Sequence, residues 1–466
     1  MRHACLAAAL LASLAAGRPV VAAERAWIEV TSGHFTIDSD AGDRTARAIV
    51  WELEQIRAAA ASFSGWAQPD LDRPLLVLAT SDEGGMRALA PRYWEQKGSV
   101  HPASVFVSAP DRHYIALRAD LKGSDSQGTM NPYRGAYWSY FALMLRANRQ
   151  RQLPLWFSLG LTEVMSNTIV RDTHLEVGRP IPFHLQRLRE RVRLPVGDLF
   201  EVTTSSPFYA QQDTRADLDA ECWALVHYLM FADEGSHRAQ LDRFAQALAG
   251  GQTPAGAAEV AFGDLTALER GFRLYITRQI FSYVRYNIDL SVKREGFAVR
   301  PLSPAETAGA QAAFHVSMQR TAEARALIDA AKKADAQLAA PYDLEGQMLD
   351  GDGKRDEARV AYEHAIALGS QNFYTSYRWA ALMIGNSTVD PAALPKIEEA
   401  LERATKLNPR YAPTYTARAQ NHWRMGRRDE ALKDARQALG LAQSDEERRA
   451  AQQLVDFIVK NGAGSR

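Results

Sequence analysis

Two stretches between residues 136 and 169 show helical spacing of apolar residues. The first has apolar residues at i, i+3, i+4 and i+7, namely Trp138, Phe141, Ala142 and Leu145. The second begins after Pro154 and places Leu161, Val164, Met165 and Thr168 on a mostly apolar face. This spacing puts side chains on one side of a helix, so the sequence predicts two helices joined by a short turn.

The chain before residue 120 shows strand patterns as well as helical ones. Apolar and polar residues alternate over 27–40 with a break at Ser32 and Gly33, which predicts two short strands or a hairpin. Further strands are predicted over 75–79, 104–108 and 114–118, and helices over 41–63 and 82–90. Strands mixed with helices in this order indicate an α+β layer.

From about residue 301 the chain changes to Ala-rich amphipathic segments. Small residues recur with a period of about 34 residues, the length of a tetratricopeptide unit. Gly346, Ala358, Ala365, Gly426 and Ala438 follow this spacing. This part of the chain therefore resembles tetratricopeptide repeats, with a degenerate first unit over 305–336 and a longer turn around 387–391. Such units stack into a superhelix with a concave binding face.

The two helices between 136 and 169 resemble those of gluzincin-like, peptidase-MA-like domains of bacterial secreted proteins. In that family the first helix reads Tyr-His-Glu-Tyr-x-His-Leu-x-Leu-Arg and the second Leu-Pro-Leu-Trp-Leu-Asn-Glu-Gly-Leu-Ala-Glu. Here Tyr137, Tyr140 and Arg146 match the first helix, and Gly160 and Glu163 match the second. The resemblance covers roughly residues 26–290 and implies a thermolysin-like fold.

The residues that carry chemistry in that family are replaced here. Trp138 and Ala142 stand at the two histidine positions, Ser139 at the catalytic glutamate, and Leu159 at the third metal ligand. Zinc hydrolysis of this type needs these ligands and a general base. The resemblance therefore predicts a degenerate motif with no metal, no cofactor and no peptidase activity. Glu163 is expected to form a salt bridge or a cap within the cleft.

Composition excludes some classes of function. The 466 residues include 55 basic and 55 acidic ones, so no nucleic-acid-binding tract is predicted. Residues 1–23 have the pattern of a cleavable signal peptide, which predicts a secreted or periplasmic protein. No later apolar run reaches the roughly 18 residues that span a bilayer. After cleavage Cys222 would be the single cysteine, expected to be structural rather than paired with His227.

The repeat pattern also predicts which side chains face the groove. These are Asp343, Gln347, Asp350, Thr416, Gln420, Trp423 and Arg424. The sequence thus predicts a signal peptide over 1–23, an α+β thermolysin-like (gluzincin-type) domain with a small sheet and helices over 24–300, and an all-α tetratricopeptide superhelix over 301–466. The predicted function is non-catalytic binding of a peptide or protein.

The sequence is also compatible with two alternative functions. The protein could be a hydrolase with a different or relocated site, for which Ser139, Cys222 and the histidines at 101, 113, 174, 184 and 227 are the candidates. These histidines show no metal-ligand spacing. Alternatively, the first domain could be only a scaffold, with all binding carried by the repeats.

Overall fold

A computed structural model describes residues 25–62, 67–95, 98, 101–121, 130–148, 153–192, 194–289, 291–385 and 389–462. The predicted signal peptide over 1–23 lies outside these residues, as does part of the predicted turn around 387–391. The described part is mostly helical, with its strands confined to residues before 302. None of its helices has the length and hydropathy needed to cross a membrane.

The first elements match those predicted from the sequence patterns to within about two residues. They are β1 Ile28–Thr31, β2 Thr36–Ser39, α1 Asp43–Ser62, β3 Leu75–Thr80, α2 Glu83–Leu89, β4 Ser104–Ser108 and β5 His113–Arg118. The predicted helix pair follows as α3 Arg134–Ala147 and α4 Leu155–Ser166. The prediction of a small sheet with helices is therefore confirmed.

A helical layer with one small sheet follows the helix pair. Its elements are β6 Ile169–Val170, β7 His174–Val177, α5 Pro182–Glu190, α6 Val196–Glu201, α7 Pro207–Ala210, α8 Gln212–Phe231, α9 Arg238–Ala249, α10 Pro254–Phe262, α11 Leu265–Ile276, β8 Val284–Asn287 and β9 Ala298–Pro301. Strands β6, β7 and β8 form an antiparallel sheet. Helix α8 is buried along much of its length and packs against α4.

The main sheet has six strands in the order β4-β5-β3-β2-β1-β9. Strand β3 pairs in parallel with β2 and β5, and the other pairs are antiparallel. One face packs on α1 and the helix pair within a large apolar core. Strand β9, which pairs with β1, spans the position where the sequence pattern places the boundary between the two domains.

The remainder of the described chain consists of helices packed in consecutive antiparallel pairs. They are α12 Pro304–Ser317, α13 Thr321–Ala334, α14 Ala340–Gly351, α15 Arg355–Ala367, α16 Phe373–Ile384, α17 Leu394–Leu407, α18 Ala412–Arg424, α19 Arg428–Leu441 and α20 Asp445–Gly462. The helices from α12 to α19 form four pairs, and the sequence predicted three to four repeat units. Helix α20 is a further helix that the repeat pattern did not predict.

Small residues let the paired helices approach closely. A Cβ added to Gly346 of α14 would lie 2.5 Å from two ring carbons of Tyr362 on α15. The Tyr362 ring is fully buried there. The glycine that the repeat spacing singles out is therefore required by the packing of its own helix pair.

The repeats also pack on the first part of the chain. The amide Nδ2 of Asn372 donates to Asp111 at 3.0 Å, and Nδ2 of Asn408 donates to the Asp72 carbonyl at 2.8 Å. Asn372 and Asp111 are both buried. These contacts hold the middle of the repeat array against the end of the sheet that carries β3 and β5.

Candidate functional site

The helix pair α3/α4 brings three of the four replaced motif positions to one cavity. Trp138, Ala142 and Leu159 all line a cavity of about 490 Å³, which we call the helix-pair cavity. The convergence follows from helix geometry, because positions i and i+4 on α3 share one face. Indole, methyl and isobutyl groups provide no lone pair for a metal at this position.

Ser139, at the position of the general base, is absent from the lining of this cavity. The side chain is buried, and its hydroxyl donates to the Gly135 carbonyl one turn earlier at 2.9 Å. A serine hydroxyl that bonds to its own helix backbone has no base to activate it. Ser139 therefore lacks the surroundings of a nucleophile.

Glu163 lies on α4, is buried, and has two basic side chains as partners. His184 Nε2 lies 3.0 Å from one carboxylate oxygen, and the Arg134 guanidinium bonds to the same oxygen. Burial acts to raise the pKa of Glu163, but the bonds from His184 and Arg134 outweigh it and hold the pKa below its ordinary value. The predicted salt bridge of Glu163 is confirmed.

Cys222 and His227 do not form a catalytic pair. Cys222 is fully buried, and desolvation raises the pKa of its thiol well above the ordinary value. His227 lies between the Tyr275 hydroxyl and the Gly178 carbonyl, each at 2.7 Å. The expected burial of Cys222 is confirmed, and burial disfavours the reactive thiolate form.

The described residues contain no group of three or more histidine, cysteine or acidic side chains that could hold a metal ion. Two of the candidate histidines bond to acidic side chains: His113 to Asp72, and His184 to Glu163.

The wall opposite the helix pair comes from the repeats. The connection between α19 and α20 and the first turn of α20 line the cavity through Ala442, Gln443, Ser444, Asp445 and Arg448. These residues lie about three hundred positions from α3 in sequence, so no local pattern could have predicted the contact.

A second concave surface lies on the repeats themselves, and we call it the repeat groove. It has a volume of about 680 Å³ and lies between α16, α18 and α20. Four of the seven residues predicted for a binding groove line it, namely Thr416, Gln420, Trp423 and Arg424. The Trp423 and Phe457 rings meet edge to face with centroids 5.3 Å apart.

The other three predicted groove residues do not line this surface. Asp343 is buried and accepts hydrogen bonds from Ser370 and Thr375, and burial raises the pKa of its carboxyl to about 7. Asp350 pairs with Arg378, with 2.9 Å between Nη2 and Oδ1. Gln347 is half-buried on the same helix. The placement of Asp343 on the groove is corrected, because this carboxylate ties α14 to α16.

Comparison with known families identifies one repeat directly. Residues 412–445, which comprise α18, α19 and the start of α20, match the tetratricopeptide repeat family. No curated protein matches the chain. The match covers a single unit, and the helix pairs before it extend the same arrangement.

Two solved structures show limited similarity to the chain. YrrB, described as a TPR protein with an unusual peptide-binding site, is 18% identical, with a TM-score of 0.27 over 34% of this chain and 88% of that one. Yeast Tom70 is 14% identical, with a TM-score of 0.29 over 74% of this chain and 66% of that one. TM-scores this low do not establish a shared fold, whereas the family match identifies the repeat directly. Residues 412–445 form a tetratricopeptide repeat within a mostly helical protein.

Proposed function

We propose that the protein is a non-catalytic binding protein that holds a polypeptide segment in its repeat groove. The observation that carries this proposal is the open groove between α16, α18 and α20. Its lining combines aromatic and aliphatic side chains with the polar side chains of Thr416 and Gln420. A groove of this kind suits an extended or helical peptide that offers apolar side chains and backbone hydrogen-bonding groups.

The charges at the groove indicate the preferred orientation of such a segment. Arg424 lies at the C-terminal end of α18, and Glu446 lies in the first turn of α20. The apolar contact between Trp423 and Phe457 stands near the basic end. We therefore expect a peptide with an apolar anchor and an acidic residue near Arg424, and a basic residue near Glu446.

Selection from a phage-displayed library of random linear peptides tests this proposal on the full chain. Enriched peptides, made with a fluorescent label, are titrated by polarisation against wild type, Trp423→Ala and Thr416→Arg. We expect each variant to weaken binding by about tenfold or more, because one removes an aromatic anchor and the other fills the groove.

Val360→Ala is the matched control, since Val360 is 58% exposed on α15 and does not line the groove. The control should bind as wild type does, and thermal melts should show that the groove variants remain folded. Failure to enrich any peptide, or equal binding by Thr416→Arg, would contradict the proposal.

We further propose that the first part of the chain is an inactive relative of gluzincin-type peptidases. The support is the matched order of residues in the helix pair and the convergence of Trp138, Ala142 and Leu159 on one cavity. The test is metal content by mass spectrometry for wild type and for the variant Trp138→His, Ser139→Glu, Ala142→His and Leu159→Glu. Wild type should be metal-free, and the variant should take up about one zinc per chain.

Zinc uptake by wild type would contradict the loss of the site, and a folded variant that binds no zinc would contradict the inherited frame.

The signal-peptide pattern adds the proposal that the protein works outside the cytoplasm. Export of a reporter enzyme fused after residue 23, compared with the same fusion lacking residues 1–23, tests it.

A further inference from the structure

The helix-pair cavity has an apolar floor. The floor residues are Trp138, Ala142, Leu145, Leu153 and Leu159. Leu145 and Leu159 are each only 6% exposed, so they form a fixed surface rather than mobile chains. The volume of about 490 Å³ lies within the usual range for small-molecule sites.

Three arginines from separate elements surround this floor. Arg146 lies in the last turn of α3, Arg215 in α8 and Arg448 in α20. Arg215 already has two partners within the protein. Its Nε lies 2.8 Å from Asp219 Oδ1, and its guanidinium lies 4.1 Å from the centre of the Tyr209 ring. The cavity therefore offers two further guanidiniums, those of Arg146 and Arg448.

Arg146 and Arg448 form no ion pair with any acidic side chain that the structure describes. Among the described residues that line the cavity, Asp445 is the one carboxylate. With Arg215 balanced by Asp219, Arg146 and Arg448 outweigh Asp445, so the described lining carries a net positive charge. Arginines without an acidic partner beside an apolar floor favour an anion with an apolar body over a neutral or cationic ligand.

We infer that the helix-pair cavity binds a carboxylate carried on an apolar group. Guanidinium groups bind carboxylates through paired N–H···O bonds in a fixed planar geometry. The apolar group would lie on the floor beside Trp138, and the carboxylate at the rim between Arg146 and Arg448. The C-terminus of a polypeptide and a free aliphatic acid share this chemistry.

The ligand would touch both parts of the chain, because Arg146 and the floor belong to the first part and Arg448 belongs to the repeats. The inference does not depend on the repeat groove, which has a separate lining. Thr416→Arg, which blocks the groove, should therefore leave this binding unchanged.

Calorimetric titration of the full chain with three probes tests the inference. N-acetyl-leucyl-leucine presents the carboxylate on a peptide, octanoate presents it on an alkyl chain, and N-acetyl-leucyl-leucinamide lacks it. We expect saturable binding of at least one acid, and binding of the amide weaker by roughly tenfold or more. Binding of the peptide acid alone assigns a polypeptide C-terminus, and binding of octanoate alone assigns a free acid.

Arg146→Gln and Arg448→Gln should each weaken acid binding by roughly tenfold. Arg449→Gln is the matched control, because Arg449 is the exposed neighbour of Arg448 and does not line the cavity. Arg146 and Arg448 are both exposed, so the variants at these two positions should fold as wild type does. Equal binding of acid and amide, unchanged binding by the arginine variants, or no saturable binding of either acid would overturn the inference.

Discussion

His227 has no contact with solvent and is hydrogen-bonded at both ring nitrogens. Its Nε2 faces the Gly178 carbonyl, which can only accept, so this nitrogen carries the proton. Nδ1 then accepts from the Tyr275 hydroxyl. Burial disfavours the charged ring and lowers the pKa of His227 to about 4.

This environment predicts a loss of stability in mild acid. The folded pKa of His227 lies below the ordinary value of 6.5, so the unfolded chain binds more protons as pH falls. The stability that the neutral ring provides is complete above pH 6.5 and is lost progressively towards pH 4, a change of about 3 kcal/mol.

An NMR titration of the histidine ring protons measures this directly, with His227→Gln used to assign the signal. We expect one ring to titrate near pH 4. A His227 signal that titrates near 6.5 would mean that the side chain is solvated in the folded protein.

At the scale of elements, α4 and α8 pack closely together at Gly160. A Cβ on Gly160 would lie 2.2 Å from the Cys222 carbonyl oxygen and 2.5 Å from a methyl carbon of Val226. Backbone cannot move aside as a flexible side chain can, so this position accepts no side chain without separating the helices.

Gly160→Ala should therefore lower the free energy of unfolding by about 3 kcal/mol or more. Gly197→Ala is the matched control, because an added Cβ on α6 meets nothing within 4 Å. It should be neutral or stabilising by up to about 1 kcal/mol, since alanine favours helix over glycine. Calorimetric melting temperatures measure both. A Gly160→Ala protein that melts with wild type would show that α4 and α8 are not packed this closely.

At the scale of the whole molecule, the first repeat helix completes the core of the sheet. Phe314 of α12 is fully buried among sheet and helix residues that include Leu78, Met86 and Tyr114. The Tyr114 and Phe314 ring centroids lie 6.2 Å apart. The face of the sheet opposite the helix pair is thus covered by the repeats.

Phe314→Ala should lower the free energy of unfolding by about 3–5 kcal/mol, the usual cost of an emptied aromatic site in a core. The effect should appear in the melting of the first part of the chain, although the substitution lies in the repeats. Val360→Ala, at an exposed position of α15, should change the melting temperature little. A Phe314→Ala protein with unchanged melting would show that α12 does not support the sheet.

The same contact affects how the binding role of the repeats can be tested. Removal of residues 301–466 would cut strand β9 at its last residue and uncover the apolar face that α12 covers. A truncated first part would therefore be prone to aggregation. Substitutions within the repeat groove separate the scaffold alternative from the proposed function without this effect.

The sequence by itself determined the first elements and the repeat units. Alternation with a period of two marked β1 and β2, a short apolar run marked β3, and helical spacing marked α3 and α4, because these patterns follow from local backbone geometry. The repeat spacing located Gly346 and the groove residues Thr416, Gln420, Trp423 and Arg424. All of these depend on neighbours within one helix or one helix pair.

Only the tertiary structure decided what each surface faces. It buried Asp343 against Ser370 and Thr375, covered the sheet with α12, and brought Arg146 and Arg448 to the same cavity. Residues this far apart in sequence come into contact only when separate elements pack. The periodicity within one element cannot predict such contacts. The sequence therefore predicted the helices α3 and α4 that form one wall of the cavity, and only the fold supplied the other wall.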